Sequence, residues 1–249
     1  MLKLMKYEFK KTQMTKLILL AITALAEIAF LIGLYLMEKP SLLSASTVLL
    51  VFLAMGGIWV IGLESIVILH RDMNTKQSYM LFMTPNSSYR ILGAKVLENG
   101  LSILLAGAFF FALGALDITL LFAKEGQLSD IWRMIQDLIH SLNQEIEINV
   151  HSLASFTFNM LSNWFLVIMT AYLADVVSSA LLNGKKHNGV LSFVLFIVLS
   201  IATSYLARLM VSGVNGIEMK MVLDGVISLV FSVAMYVVTA QIMERKLSV

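Results

Sequence analysis

The sequence contains no cysteine and only two prolines among its 249 residues. Without cysteine the chain forms no disulfide bond, no thiolate metal site and no cysteine nucleophile. Charged residues are also scarce, at 14%, whereas hydrophobic residues make up 59% and the mean hydropathy is +0.85. An ordinary soluble domain is closer to half apolar. The composition therefore excludes a soluble globular domain and directs attention to membranes.

Recognisable catalytic motifs are absent from the sequence as well. There is no G-x-x-x-x-G-K-[ST] phosphate-binding loop, because the nearest glycine-lysine pair, Gly184-Lys185, lacks both the upstream glycine and the following hydroxyl. There is no H-E-x-x-H metal motif, and no nucleophile and base are spaced as an intramembrane hydrolase would need. We interpret the scattered histidines as solvated or interfacial: His70, His140, His151 and His187. The sequence predicts neither a catalytic nor a metal site.

Six long apolar runs dominate the chain. Each has about the 20 residues that a helix needs to cross the hydrocarbon core of a bilayer, and a backbone in lipid must satisfy its own hydrogen bonds. The runs are Leu17–Met37, Thr47–Leu69, Asn99–Ala123, Phe158–Leu182, Val190–Val211 and Val222–Met243. The sequence therefore predicts an all-α integral membrane protein with six transmembrane helices, in one domain spanning residues 1–249.

The basic residues separate the connecting segments into two alternating groups. Thirteen of the 18 lysines and arginines fall in the two terminal segments and in the loops after the second and fourth runs. Short loops rich in lysine and arginine remain in the cytoplasm. The distribution thus predicts that both termini are cytoplasmic.

Residues 1–16 combine an apolar stripe of Leu2, Met5 and Phe9 with lysines on another face. This pattern is typical of a helix that lies in the cytoplasmic interface, with its ammonium groups near anionic lipid heads. The alternative is a positively charged leader that only orients the first span.

The cytoplasmic loop within residues 71–95 carries an apolar cluster, Tyr79 to Met83, which is too short to span a bilayer. An exposed patch of this kind requires a partner surface or a lipid interface. Thr84-Pro85 should end a short helix, because proline disfavours helical geometry in the residue before it. Asn86 to Ser88 can then cap the helix that runs into the third span.

The segment between the third and fourth spans, residues 124–157, is the largest extracytoplasmic piece. Its apolar residues recur at spacings of three and four, as on one face of a helix. They are Leu128, Ile131, Ile135, Leu138 and Leu142. We expect an outward amphipathic helix that lies on the membrane or covers the mouth of the bundle.

Polar residues inside the spans are the remaining candidates for function. Carboxylates at such depths should face the bundle or a wet cavity, because an unpaired charge there costs several kcal/mol. Glu98 is expected at the membrane boundary beside Lys95. The candidate pathway residues are Glu27, Glu64, Asp117, Asn159, Asn163 and Asp175. The alternative role for each is a protonated or hydrogen-bonded packing group.

The topology, the basic N-terminal helix and the loop sequence Gln77 to Lys95 together resemble the type-2 ATP-binding-cassette permeases of bacteria. The resemblance covers the whole chain in topology, but only residues 77–95 are distinctive in sequence. It implies an exporter subunit of the bacterial plasma membrane without its own cofactor, paired with a second permease copy or a paralogue. ATP and magnesium would bind to a separate ATPase subunit.

The resemblance also makes the 71–95 loop the coupling segment that contacts the ATPase. The implied interface residues are Tyr79, Met80, Leu81, Phe82, Thr84, Pro85 and Tyr89. Because the spans offer few polar contacts, we expect an amphipathic or hydrophobic cargo, such as a peptide, lipid or drug.

Two other functions stay open. The first is an ion-coupled secondary transporter that uses Glu27 and Asp175 as proton sites, although neither inverted repeats nor broken helices are evident in the sequence. The second is an intramembrane enzyme acting on a lipid-like substrate, which the missing catalytic residues disfavour.

Overall fold

The structure is a computed structural model that describes residues 2–37, 39–74, 87–124, 133, 150–182 and 188–247. These residues form long helices and no strand. The helices are α1 (Leu2–Leu31), α2 (Pro40–Asn74), α3 (Ser88–Lys124), α4 (Val150–Leu182), α5 (Asn188–Val211) and α6 (Ile217–Ile242). Two π-helical segments, Ile32–Leu36 and Met243–Leu247, continue α1 and α6.

All six helices are long and apolar enough to cross a membrane. Even the shortest, α5 with 24 residues, is about 36 Å long at 1.5 Å per residue, which exceeds the hydrocarbon thickness of about 30 Å. The prediction of a helical protein with six helices that are long and apolar enough to span a membrane is confirmed for the described residues.

Several helices extend beyond the apolar runs from which they were predicted. The first runs without a break from Leu2, so residues 2–16 are the start of α1 and no separate helix precedes the span. Lysine is a good helix former, and its charge does not interrupt the backbone hydrogen bonds. The third helix begins at Ser88, with the amides of Arg90 and Ile91 donating to the Ser87 carbonyl, within the stretch where a cap was expected.

The chain divides into two compact units, each built from more than one stretch of sequence. We call Leu2–Ser65 with Leu97–Glu147 the N-terminal unit, and Ile66–Val96 with Ile148–Val249 the C-terminal unit. The boundaries fall inside α2 and α3, so each of these helices contributes one part to each unit.

The C-terminal unit is built around α4, which packs against α5 and α6. About 67% of the most apolar stretch of α4 is buried. Its largest fully buried side chain is Tyr172, which lies among residues of α2, α3 and α6 that belong to the same unit. These core residues are Leu69, Met73, Leu92, Val96, Ile168, Met169, Val176, Ala240 and Met243.

The N-terminal unit has a smaller core between α1 and α2, centred on Ala26, Phe30, Leu34 and Leu50. Gly57 allows α2 to approach α1 closely, because a Cβ at this position would lie 2.8 Å from Leu19 Cδ2. Large apolar side chains such as Phe111 and Trp59 remain exposed, as lipid-facing residues do.

Candidate functional sites in the two units

The two asparagines predicted in the fourth span lie together and share one partner. Asn159 Nδ2 donates to Asp224 Oδ2 at 2.8 Å and to the Met221 carbonyl at 2.9 Å. Asn163 Nδ2 donates to the same Asp224 oxygen at 3.1 Å. Asp224, at the beginning of α6, completes the cluster, although the sequence reasoning did not select it.

Close packing brings Asp224 within reach of these amides. Its neighbour Gly225 is buried, and a Cβ at Gly225 would lie 2.7 Å from the ring of Phe158 and 3.3 Å from Asn159 Cα. The absence of a side chain at Gly225 therefore lets α6 approach α4. One turn further along α6, Ser228 donates to Asn163 Oδ1 at 3.2 Å, which extends the polar contact.

Asp175 of α4 pairs with a histidine of α2 inside the C-terminal unit. The distance between Asp175 Oδ1 and His70 Nδ1 is 2.5 Å, and the Asp175 side chain is 1% exposed. The sequence did not indicate this contact, and the His70 side chain remains 36% exposed. A buried carboxylate needs a hydrogen-bonding partner, and a half-buried imidazole on the neighbouring helix supplies it.

A second buried pair joins the end of α2 to the start of α3. Lys95 Nζ lies 2.7 Å from Asp72 Oδ2, and both side chains are almost fully buried. Near it, the Tyr236 hydroxyl of α6 donates to the Tyr89 carbonyl at 2.5 Å, and the two rings lie 6.1 Å apart. Both helix ends that flank residues 75–86 are thus attached by polar contacts within the C-terminal unit.

The sequence suggested that Glu98 lies beside Lys95, but the two side chains pair with other residues. In the N-terminal unit, Glu98 Oε1 accepts hydrogen bonds from Lys16 at 2.6 Å, Thr12 at 2.9 Å and Ser102 at 2.8 Å. Lys16 is therefore the cation that neutralises Glu98, and it also lies 4.0 Å from the centre of the Phe9 ring. Residues of the basic N-terminal segment belong to a polar network with α3.

Glu27 and Asp117 form a fourth pair, also in the N-terminal unit. Their carboxyl groups hydrogen-bond to each other. Each also has one buried oxygen, Glu27 Oε2 and Asp117 Oδ1, without a hydrogen-bond partner among the described residues. Two carboxylates repel each other, so this hydrogen bond requires a proton on one of them.

Of the other predicted site residues, Glu64 is half-buried in α2 and Tyr89 lies in the first turn of α3. The remaining residues of the coupling segment lie outside the described residues: Tyr79, Met80, Leu81, Phe82, Thr84 and Pro85. Of the predicted amphipathic helix in the 124–157 loop, only Arg133 is described, and residues 150–157 of the predicted loop belong to α4.

Among the described residues, no group of three or more histidine, aspartate or glutamate side chains is arranged to hold a metal ion. In comparisons with known proteins, no family model, no curated protein and no solved structure matches the chain.

Proposed function

We propose that the chain is the membrane-spanning permease subunit of an ATP-binding-cassette exporter. The observation that carries the proposal is the attachment of both flanks of the 75–86 loop to the core of the C-terminal unit. Asp72 and Lys95 join the two flanks to each other, and Tyr89 joins the second flank to α6. A loop that only connected two spans would not need a buried ion pair at its base.

These contacts suit a mechanical role for the loop. A force on the loop would pass through the Asp72–Lys95 pair to both helix ends and through Tyr89 to α6. The contact between His70 and Asp175 offers a further path from α2 to α4. Packed cores transmit displacement because they are dense and not easily compressed. Closure of a nucleotide-binding partner would thereby move the helices of the C-terminal unit.

The proposal includes an orientation with both termini in the cytoplasm of a bacterial plasma membrane, supported by the distribution of lysine and arginine. Single cysteines can be placed at Lys76, Gln136 and Lys186 in this cysteine-free chain. Only the cysteine at Gln136 should react with an impermeant reagent on intact cells. Labelling from outside at Lys76 would contradict the orientation.

The proposed partners follow from the same assignment. A separate ATPase subunit would bind ATP and magnesium and contact the segment from Tyr79 to Pro85, together with Tyr89. A second copy of this chain, or a paralogue, would complete the pathway for an amphipathic or hydrophobic cargo. The many exposed apolar side chains of the helices provide surface for both lipid and a second copy.

An ion-coupled secondary transporter is the second candidate, and the Glu27–Asp117 pair favours it. A hydrogen bond between two carboxyl groups holds a proton that a transport cycle could exchange. In this alternative no ATPase subunit would bind the cytoplasmic loop.

Co-purification from detergent-solubilised membranes tests the proposal. The wild-type chain should bring with it a protein that carries a phosphate-binding loop and hydrolyses ATP. Substituting Tyr79→Ala with Phe82→Ala should release that protein, since truncating an aromatic anchor typically costs about 2 kcal/mol or more of binding energy. Phe111→Ala is the matched control, because Phe111 is 82% exposed on α3.

The control should retain the ATPase at the wild-type level. The proposal fails if no ATPase accompanies the wild-type chain, or if the doubly substituted chain retains as much ATPase as the control.

A further inference from the structure

Residues of α4, α5 and α6 line an open cleft in the C-terminal unit. Its volume is about 330 Å³. It lies where α5 ends and α6 begins, and α4 contributes Asn159 to one wall. The lining residues are Asn159, Arg208, Val211, Ser212, Lys220, Met221 and Asp224.

The charges of this cleft are not balanced by its own residues. Arg208 and Lys220 are exposed, and neither forms an ion pair with another described residue. The single carboxylate, Asp224, accepts hydrogen bonds from Asn159 and Asn163 through one oxygen. Glu218, in the first turn of α6, is contacted by the Ser152 hydroxyl. Two cations and one carboxylate leave the cleft with one excess positive charge.

A second groove adjoins the cleft along α5. It has a volume of about 360 Å³ and is lined by Ser200, Ile201, Ser204, Tyr205 and Arg208. Arg208 lines both spaces. Ile201, Tyr205 and Arg208 follow one another at spacings of four and three residues, so they lie on one face of the helix. From Arg208 to Ile201 the groove follows α5 for about 10 Å into the apolar part of the span.

We infer that the cleft and the groove together form a phospholipid-binding site. The phosphodiester lies between Arg208 and Lys220, and one acyl chain follows the Ile201–Tyr205 face of α5. Three observations carry the inference. The excess positive charge matches a singly charged phosphodiester, the groove that leaves Arg208 presents the exposed side chains of Ile201 and Tyr205 beside two serines, and α5 is long and apolar enough to span a membrane. Arginine presents several N–H donors to phosphate oxygens, and tyrosine is typical of the interface between headgroups and acyl chains.

The amphipathic shape of the space favours a lipid over inorganic phosphate. A free anion would occupy the cleft and leave the groove empty, whereas a phospholipid would occupy both. The inference does not depend on the proposed ATPase partner. If the orientation proposed above holds, the lipid belongs to the outer leaflet, because α5 ends on that side.

Native mass spectrometry of the purified full-length chain tests the site, with dioleoyl phosphatidylglycerol titrated into the detergent. The wild-type chain should retain one lipid molecule more tightly than the others. Arg208→Gln with Lys220→Gln should weaken that binding at least about tenfold, since charge-assisted hydrogen bonds to a phosphate are stronger than neutral ones. Arg90→Gln with Arg245→Gln removes the same charge at other exposed positions and should leave binding unchanged.

The groove has its own variant, Ile201→Ser with Tyr205→Ser. Both side chains are more than 60% exposed, so the fold should tolerate the change. This variant should lose lipid several-fold, whereas an excess of inorganic phosphate should not displace the lipid from the wild-type chain.

Equal retention of lipid by the Arg208/Lys220 variant and its control would overturn the inference. Displacement of the lipid by inorganic phosphate, with no effect of the groove variant, would assign the cleft to a free anion and would also overturn it. Dioleoylglycerol, which lacks the phosphate, should not be retained, and its retention at the level of phosphatidylglycerol would be a third contradiction.

Discussion

The two units differ in how they neutralise charge inside apolar surroundings. In the C-terminal unit, Asp72 and Asp175 each face a basic side chain from another helix segment. In the N-terminal unit, Glu98 likewise faces Lys16, whereas Glu27 and Asp117 contact each other. An ion pair between opposite charges needs no added proton, whereas two carboxyl groups form a hydrogen bond only while they share a proton. The described ion pairs of the C-terminal unit therefore hold without an added proton, whereas the contact between Glu27 and Asp117 depends on one.

The largest expected effect lies in the buried ion pair of the C-terminal unit. Lys95→Met should destabilise the protein by about 3–5 kcal/mol, because removing one partner leaves a buried charge without compensation. Unfolding in detergent, followed by circular dichroism against denaturant, measures the loss. Asp72→Leu combined with Lys95→Met should recover most of the stability, since no charge then stays buried.

Arg90→Met is the control for this prediction, because Arg90 is exposed and lies on the same helix, five residues before Lys95. If Lys95→Met were no more damaging than Arg90→Met, the pair would not hold the flanks of the loop.

One glycine in each unit tests how closely the helices pack there. Gly225→Ala should destabilise the C-terminal unit by about 1–3 kcal/mol through overpacking, because the new Cβ would meet Phe158 and the Asn159 backbone. Gly107→Ala in the N-terminal unit meets no atom within 4 Å, so the higher helix propensity of alanine should make it neutral or stabilising. The same unfolding experiment compares them. Equal effects at the two positions would mean that α6 does not approach α4 closely at Gly225.

The smallest expected effect on stability belongs to the carboxyl pair. Glu27→Gln with Asp117→Asn should change stability little, because amides keep the hydrogen bond without needing a proton. Infrared spectroscopy at neutral pH should nevertheless show the C=O stretch of a protonated carboxyl in the wild-type chain and its loss in this variant. Asp224→Asn should leave the signal in place. Absence of the signal from the wild-type chain would mean that the two groups share no proton.

The six membrane-spanning helices could be predicted from the sequence because hydropathy is summed over about 20 residues and needs no knowledge of packing. The ion pairs could not. Lys95 and Glu98 are three residues apart on one helix, a spacing that suggests a pair, yet each has its partner on a more distant stretch of chain: Asp72 for Lys95 and Lys16 for Glu98.

The polar cluster of α4 and α6 was predicted only in part. Asn159 and Asn163 share a helix face, which the sequence reveals, whereas their partner Asp224 is 61 to 65 residues away on another helix. Gly225, next to it, is the local signal that could have indicated close packing, because small residues let membrane helices approach each other. His70 gave no such signal, because its partner Asp175 is 105 residues away.

We propose that an ATPase subunit binds residues 75–86. Photocrosslinking in cells tests this binding, with a photoreactive residue in place of Phe82 and, as a control, in place of the exposed Phe111 of α3. We expect a covalent adduct from position 82, but not from position 111, with a protein that carries a phosphate-binding loop. An adduct with lipid alone at position 82, or the same protein adducts at both positions, would contradict the binding of an ATPase subunit.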